Sequence, residues 1–590
     1  MNSRRLIIFI LVAVAGCTPD AYRADADRQV QKLIRERQAD STGYTPTVDV
    51  EPTTQPQTTK KSYTSVPLTD TPPGDAIPMR RLSFTLPAAP AGPPAPPETA
   101  LPDVDSEIFA SAQQVQRARL EYGPPSEVGR VVKLDLFAAI SYAVQNGRQY
   151  QSEMERLYLA ALDVTLERHL FTPRPFATTE ARYTGGQSDV DYRSAFTVTQ
   201  RAGVRQRLPY GGEIVAQGLV SFVNALNDNV TDGEDAQLAI DGTIPLLRGA
   251  GLVNLEGLIS SERELIYATR GFETYRRTYA VDVAARYFRV LTRYQSLRNR
   301  FINFRNLLDL VDRSENLFAA GRVTALEVQR AQQSLLSAED LLNTAQLNLQ
   351  TDLDDFKTVI GMPVEQPLDL VPVDVEVSEL DAALGNPEAM ALIYRLDLQT
   401  ARDRIDDARR GVSIARNDLG PSLDLSLGGT MGNQDSARAR RVDSRTLEYN
   451  AGLTLDLPID RLAERNDYRR SLISLDRAQR EAVDLQQNVL ADVRAAERGI
   501  RSAQQSLNIQ RRGIDVARKR LEAANDFLLL GVATSSRDVV EAQASLLNAQ
   551  DAFDRARADL TIQMLQFLRD TGTLRLDPGA GALGIAMKRE

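Results

Sequence analysis

The chain has 590 residues, 43% of them hydrophobic and 25% charged, with a formal net charge of -9, length enough for several domains. It contains no run of about 18 apolar residues, which excludes a transmembrane helix. Acidic and basic residues alternate without a basic block, which argues against nucleic acid as a partner, and one cysteine with one histidine leaves no framework for disulfides or a His/Cys metal cluster.

Arg4 and Arg5 precede an apolar run from Leu6 to Ala15, followed by Gly16 and Cys17. A basic start, a short apolar core and small residues before a cleavage point make a secretory signal over residues 1–16. The segment resembles a bacterial lipoprotein signal, which implies lipidation of Cys17, palmitate included; an ordinary signal with an incidental cysteine is the alternative. Thr18 rather than Asp follows, which by resemblance to Gram-negative sorting patterns directs the mature protein to the outer membrane. Within residues 17–40, Ala21 to Arg37 forms a short amphipathic helix with Val30, Leu33 and Ile34 on one side; its role is not readable. Residues 41–105 are rich in Pro and Thr and read as an extended tether.

The first structured unit spans 106–375. Leu134 to Gln151 opens it, with Asp135 as N-cap of a helix running to about Leu170. Strand-like sequence fills about 176–246. A weaker strand lies at Phe176 to Tyr183. Phe196, Val198, Ala202, Val204 and Leu208 alternate before the turn Pro209–Gly212, then Ile214, Ala216, Val220 and Phe222, and after a polar loop Leu238, Ile240 and Ile244. Period two with one apolar face is the pattern of a membrane barrel strand. A helical hairpin follows over about 255–360. Its first arm, from Leu255 to about Ala320, is some 66 residues, or roughly 100 Å, and suits coiled-coil packing.

The second unit, 376–574, says nearly the same thing again. A helix spans Leu380 to Asp418, strands alternate over about 421–458, and a hairpin covers about 464–571, before a tail at 575–590. The two hairpins turn at GRVTALEV (Gly321 to Val328) and GVATSSRDVV (Gly531 to Val540), and continue into AQQSLL and AQASLL. The units are unequal. Four strand-like segments stand in the first against two in the second, a difference of about one hairpin.

The ordered duplication resembles the TolC-like outer-membrane efflux protein family. The family implies a mostly helical protein with membrane β structure: a homotrimer whose antiparallel coiled-coil hairpins form a periplasmic α-barrel joined to a shared outer-membrane β-barrel. That barrel has about 12 strands by resemblance, or up to 18 if the extra hairpin joins its wall. Backbone pairing points the same way, because strand edges exposed to lipid must close on neighbours. The resemblance further implies that Gly321, Val323 and Thr324, with Gly531, Val532 and Thr534, meet the tips of a periplasmic adaptor protein; simple hairpin capping is the other reading. Asp538 and Glu541, three apart on one helix face, line a pore constriction by the same resemblance or are solvated surface. Family members with a closed gate carry Tyr and Arg where this chain has Leu528 and Ala533.

Chemistry is not expected. His169 stands alone, PLLRGAG (Pro245 to Gly251) lacks phosphate-binding spacing and a lysine, and the pairs Asp354–Asp355 and Asp406–Asp407 lie among arginines. The sequence therefore points to a passive, cofactor-free exit duct of a tripartite efflux or type I secretion system, driven by an inner-membrane pump. The rival is a lipid-anchored periplasmic coiled-coil scaffold without a pore.

Overall fold

The computed structural model describes residues 19–42, 131–187, 192–225, 233–372, 386–432, 442, 446–530, 536–577 and 582–585. In chain order these form α1 (Pro19–Thr42), β1 (Val132–Leu134), α2 (Leu136–Asn146), α3 (Arg148–Leu170), β2 (Arg174–Gln187), β3 (Tyr192–Arg207), β4 (Glu213–Ala225) and β5 (Gly233–Pro245). Next come α4 (Glu256–Ala319), α5 (Ala325–Ile360), β6 (Leu368–Leu370), α6 (Pro387–Tyr394), α7 (Leu396–Asp418), β7 (Ser422–Gly432) and β8 (Glu448–Asp456). The chain then forms α8 (Leu462–Leu530), α9 (Ser536–Asp570), β9 (Leu574–Asp577) and β10 (Ala582–Ile585). The fold is mostly helical, with one large sheet.

That sheet has six strands in the order β2-β3-β4-β5-β7-β8, every neighbouring pair antiparallel. The four segments of the first half and the two of the second thus share one surface, and the extra hairpin belongs to it. Register aligns the side chains into faces. Ala181, Val198 and Phe222 stand in line across β2, β3 and β4, and Ile240, Ala216 and Val204 across β5, β4 and β3. Leu425 pairs with Ile244 on one side and Leu453 on the other. The opposite face carries Arg201, Gln217, Asp241 and Asp424. Many apolar residues of the first face remain exposed, among them Tyr183, Leu238, Ile240, Leu427, Tyr449 and Leu453. Among the described residues the sheet is open, with β2 and β8 as its edges.

The turn at Pro209–Gly212 joins β3 to β4. Gly212 has φ +86, and a methyl group there would lie 1.8 Å from the Thr243 carbonyl oxygen, so only glycine fits.

The helices are built on two rods. α4 has 64 residues and α8 has 69, about 96 and 104 Å at the helical rise. Each is flanked by two shorter helices meeting end to end. Beside α4, the end of α5 abuts the start of α3; beside α8, the end of α9 abuts the start of α7. Glycines make both junctions. Gly361 ends α5 at φ +78 with its Cα against the Asn146 carbonyl, where a methyl group would lie 2.0 Å from the oxygen; Gly572 ends α9 at φ +72 against Tyr394. At the first junction the Tyr279 hydroxyl donates to the Val359 carbonyl at 2.8 Å, and burial pushes its phenol well above the usual range. At the second, Arg277 donates to the Gly572 carbonyl at 2.9 Å and pairs with buried Glu273 at 3.0 Å, which Arg276 also approaches at 3.3 Å. The main apolar core gathers around these junctions and includes Tyr150, Tyr287, Leu353 and Phe356.

The structure departs from the sequence reading in four places. The helix expected from Asp135 to Leu170 is two helices, split at Gly147, which is extended (φ -67, ψ 117) and whose missing side chain leaves room for Tyr279 Oη. Asp135 does cap α2, accepting from the Ala138 N–H at 2.7 Å. The helix expected over Leu380 to Asp418 breaks likewise at Arg395, giving α6 and α7; residues 380–385 lie outside the described residues. The amphipathic segment near the N-terminus has a role: α1 packs on α3 and α4, burying Val30, Leu33 and Ile34, each worth roughly 1.5–3 kcal/mol. Arg37 and Arg168 both reach Glu262, at 3.2 and 2.5 Å. The tail carries a strand pair, β9 with β10, that its composition did not announce.

The glycine at the first junction has a measurable consequence. Gly361→Ala adds left-handed strain of about 1–2 kcal/mol and a collision with the Asn146 carbonyl, whereas Gly321→Ala, at φ +69 with open space around it, adds the strain alone. Thermal unfolding followed by circular dichroism should show a clearly larger drop in midpoint for Gly361→Ala than for Gly321→Ala.

Candidate functional site at the hairpin tips

The first hairpin reverses through a helix terminus that satisfies its own carbonyls. Arg322 N–H donates to Leu317 O at 2.8 Å and Gly321 N–H to Phe318 O at 2.9 Å, the paired bonds of a Schellman motif with glycine at the left-handed position. Thr324, extended at φ -86 and ψ 156, begins α5. Gly321 and Thr324 are exposed and Val323 is half-buried. Two apolar side chains that the sequence reading did not single out flank them: Phe318 and Leu326 are 49% and 53% exposed. They stand exposed on either side of the turn in sequence, which hydrophobic periodicity alone does not reveal.

The second tip is described only at its base. Gly531, Val532 and Thr534, with Ala533, lie outside the described residues, as does Cys17. Leu528, in the last turn of α8, is buried in a cluster with Leu307, Leu310, Ala331, Val539 and Ala542. The cluster joins both hairpins near their tips. Asp538 and Glu541 both lie exposed on the first turns of α9. Glu541 pairs across its hairpin with Arg520 at 2.9 Å, so one of the two candidate acids also braces α8 against α9.

Sequence reading missed a buried polar seam further from the tips. On α9, Asp551 accepts from Ser296 Oγ at 3.1 Å and Asn299 Nδ2 at 3.0 Å, and lies 3.6 Å from Arg300, all on α4. Asp554 accepts from the same Asn299 amide at 3.2 Å. Burial raises the Asp554 pKa; the Asn299 hydrogen bond lowers it, and the Asp551 charge raises it further. A cavity of about 370 Å³ opens beside this seam, lined by Arg289, Arg293, Arg300, Asp551 and Arg555. Aspartates one turn apart on a charged helix read as surface; only the placement of α4 makes them interior.

The groups set aside as non-catalytic are accounted for. His169 is exposed at the end of α3, its Nδ1 3.2 Å from Thr172 Oγ1. Pro245 to Gly251 is a connector whose Gly249 N–H donates to Asn417 at 2.9 Å. Asp354 pairs with Lys357 at 3.2 Å and Asp406 with Arg409 at 2.7 Å, while Asp407 pairs with Arg263 and with Arg410 at 2.7 Å. Among the described residues no group of three or more His, Cys, Asp or Glu is placed to hold a metal ion, and no helix is long and apolar enough to cross a membrane.

Comparison with known proteins finds a family model that matches part of the chain. Residues 389–573 match the model described as outer membrane efflux protein. The pyoverdine export outer membrane protein OpmQ of Pseudomonas aeruginosa is 30% identical over 303 residues, 47% of this chain and 58% of that protein. Outer membrane protein TolC of Escherichia coli is 23% identical over 320 residues, 51% of this chain and 63% of that protein. The chain thus spans less than two thirds of either relative. Among solved structures, the Campylobacter jejuni CmeC outer membrane channel shares the fold, with a TM-score of 0.59 at 14% identity over 77% of this chain and 87% of that one.

The seam has a pH signature. A carboxyl with a raised folded-state pKa is bound by its proton more tightly in the folded protein. Stability therefore falls as pH rises from the ordinary carboxylate range through the raised value, and stays lower above it. Asp554→Asn keeps an acceptor for Asn299 without the charge. It should raise the thermal midpoint at about pH 8 and leave it nearly unchanged at about pH 4; equal shifts at both pH values would count against the half-buried carboxylate.

Proposed function

An outer membrane efflux protein domain occupies residues 389–573, and from it we propose that the whole chain is the outer-membrane exit duct of a tripartite efflux or type I secretion system. The observation that carries the reading is the joining of two unlike parts. A six-stranded sheet with one apolar face and two open edges sits on helical hairpins about 100 Å long. The apolar face suits lipid, and its edges require partners there. Three copies close the sheets into one β-barrel and the hairpins into a periplasmic α-barrel, so that two internal repeats per chain make a pseudo-sixfold tube. Residues 1–16 act as the signal, and Cys17 is acylated and anchors the mature chain in the outer membrane. Residues 41–105, of which 41 and 42 end α1, act as tether.

The duct is passive and carries no enzymatic activity; an inner-membrane pump drives transport, and a periplasmic adaptor links the two. Gly321, Val323 and Thr324, with Gly531, Val532 and Thr534, dock the adaptor. Phe318 and Leu326 supply exposed apolar surface at the first tip, the kind of anchor that interfaces bury. Asp538 and Glu541 form acidic rings near the second tip, where three copies of each would attract cations.

Reconstitution tests the duct. The purified protein should run as a detergent-resistant trimer and conduct ions across planar bilayers, with cation preference reduced by Asp538→Asn combined with Glu541→Gln. A non-conducting soluble monomer would instead favour the scaffold reading, and unchanged selectivity would remove the acidic rings. For docking, Gly321→Glu with Gly531→Glu should leave the trimer intact and cut export by about tenfold, the equivalent of ~1.4 kcal/mol of lost affinity. Full export from an intact trimer would sink the docking role.

A further inference from the structure

The two edges of the sheet are not alike in charge. Among the residues whose side chains are described, the polar face of β2 and β3 presents five arginines, Arg174, Arg182, Arg201, Arg205 and Arg207, against one acid, Glu180. The polar face of the other four strands carries carboxylates, among them Asp241 and Asp424, and no lysine or arginine. One edge of the open sheet is therefore basic and the other, β8, acidic through Glu448 and Asp456.

The edge charges are also spaced alike. Arg174 and Arg182 lie eight residues apart on β2, and Glu448 and Asp456 eight apart on β8. Five antiparallel pairings separate these strands, so β2 and β8 run in opposite directions. The helix-proximal ends are Arg174, just after α3, and Asp456, just before α8. All four charges are incompletely matched within one chain. Arg174 Nε is buried with no hydrogen-bond partner and its guanidinium comes only within 3.6 Å of Glu213. Asp456 is 65% exposed and 4.0 Å from Arg248. Arg182 leans on Glu180 of its own strand but stays 69% exposed, and Glu448 is exposed.

We propose that β2 pairs with β8 of a second copy of this chain, Arg174 opposite Asp456 and Arg182 opposite Glu448, so that the extra hairpin is a full part of the barrel wall. This rests on the duct reading and deepens it. The register is singular. It sets Pro175, Ala177, Thr179 and Ala181 opposite Leu455, Leu453, Ala451 and Tyr449, which continues the apolar face across the seam. A slip of one residue turns that face toward the lumen. A slip of two keeps the faces but sets Arg174 and Arg182 opposite Thr454 and Thr446, or opposite Pro458 and Asn450, and forfeits both charge pairs. Six strands from each of three copies then make eighteen, a barrel about one and a half times as wide as one of 12 strands, since diameter grows roughly linearly with strand number.

The test uses the full chain. Thr179→Cys with Ala451→Cys places two thiols opposite each other across the seam, within disulfide range. Mild oxidation should link copies covalently, seen as a ladder up to trimer in denaturing gels. Glu448→Arg alone should lower the heat resistance of the trimer, and adding Arg182→Glu should restore it. The inference is overturned if a trimer forms, by native mass in detergent, but Ala451→Cys links to Val220→Cys on β4 in place of Thr179→Cys, which would put the hairpin outside the wall. It is overturned as well if the double charge reversal fails to rescue. Absence of any trimer by native mass would bring down the duct reading itself, and the seam with it.

Discussion

An apolar sheet face and an unpaired strand edge make incompatible demands, and the rest of the molecule is arranged around them. The face is stable against lipid; the edge is not, because a bilayer offers no hydrogen bonds to unpaired N–H and C=O groups. Among the described residues the six strands form an uninterrupted antiparallel ladder with β2 and β8 open. On the duct reading proposed above, what closes them comes from another chain, and the helices at the base of the sheet fit beside those of that chain.

The helical part answers a different problem. A helix of 64 or 69 residues gains little from propensity and must bury a stripe along its length. Here two shorter helices together match each rod, and their ends meet at glycines that let one backbone lie against another. Gly361 against Asn146 and Gly572 against Tyr394 are sites where a single methyl group would separate the ends. Buried ions sit at the second junction: Glu273 bridges Arg276 and Arg277, and Arg277 spends a further donor on the Gly572 carbonyl. Buried charges of this kind are tolerated when each is paired and hydrogen-bonded. The N-terminal α1 is held in the same way, by three apolar residues and by Glu262, shared between Arg37 and Arg168.

Much of this was legible in the residues, for stated reasons. Alternation of Leu425, Leu427, Leu453 and Leu455 with polar neighbours marks strands because side chains alternate across a pleat. Gly321 marks a helix end because its φ of +69 is costly for other residues. Asp135 marks a helix start because its carboxylate reaches the Ala138 amide. The break at Gly147 was not legible. An isolated glycine in a helical pattern is usually tolerated, and what excludes a side chain at this break is Tyr279, 132 residues later in the chain. Asp551 and Asp554 were invisible as a site for the same reason: their partners Ser296 and Asn299 belong to another rod.

By itself, then, the sequence determined what depends on local periodicity and backbone freedom: the long helices, the strands and their apolar faces, the glycine at the first tip, and the inequality of the two halves. Only the tertiary structure decided where the extra hairpin goes, which helix ends meet, what α1 covers, and which carboxylates are buried. Those outcomes turn on pairs of residues far apart in the chain, and periodicity carries no information about which distant segment supplies the partner. The edge charges combine both levels. Their eight-residue spacing is written in the sequence, but it has meaning only because five intervening pairings leave β2 and β8 antiparallel at opposite edges of one sheet.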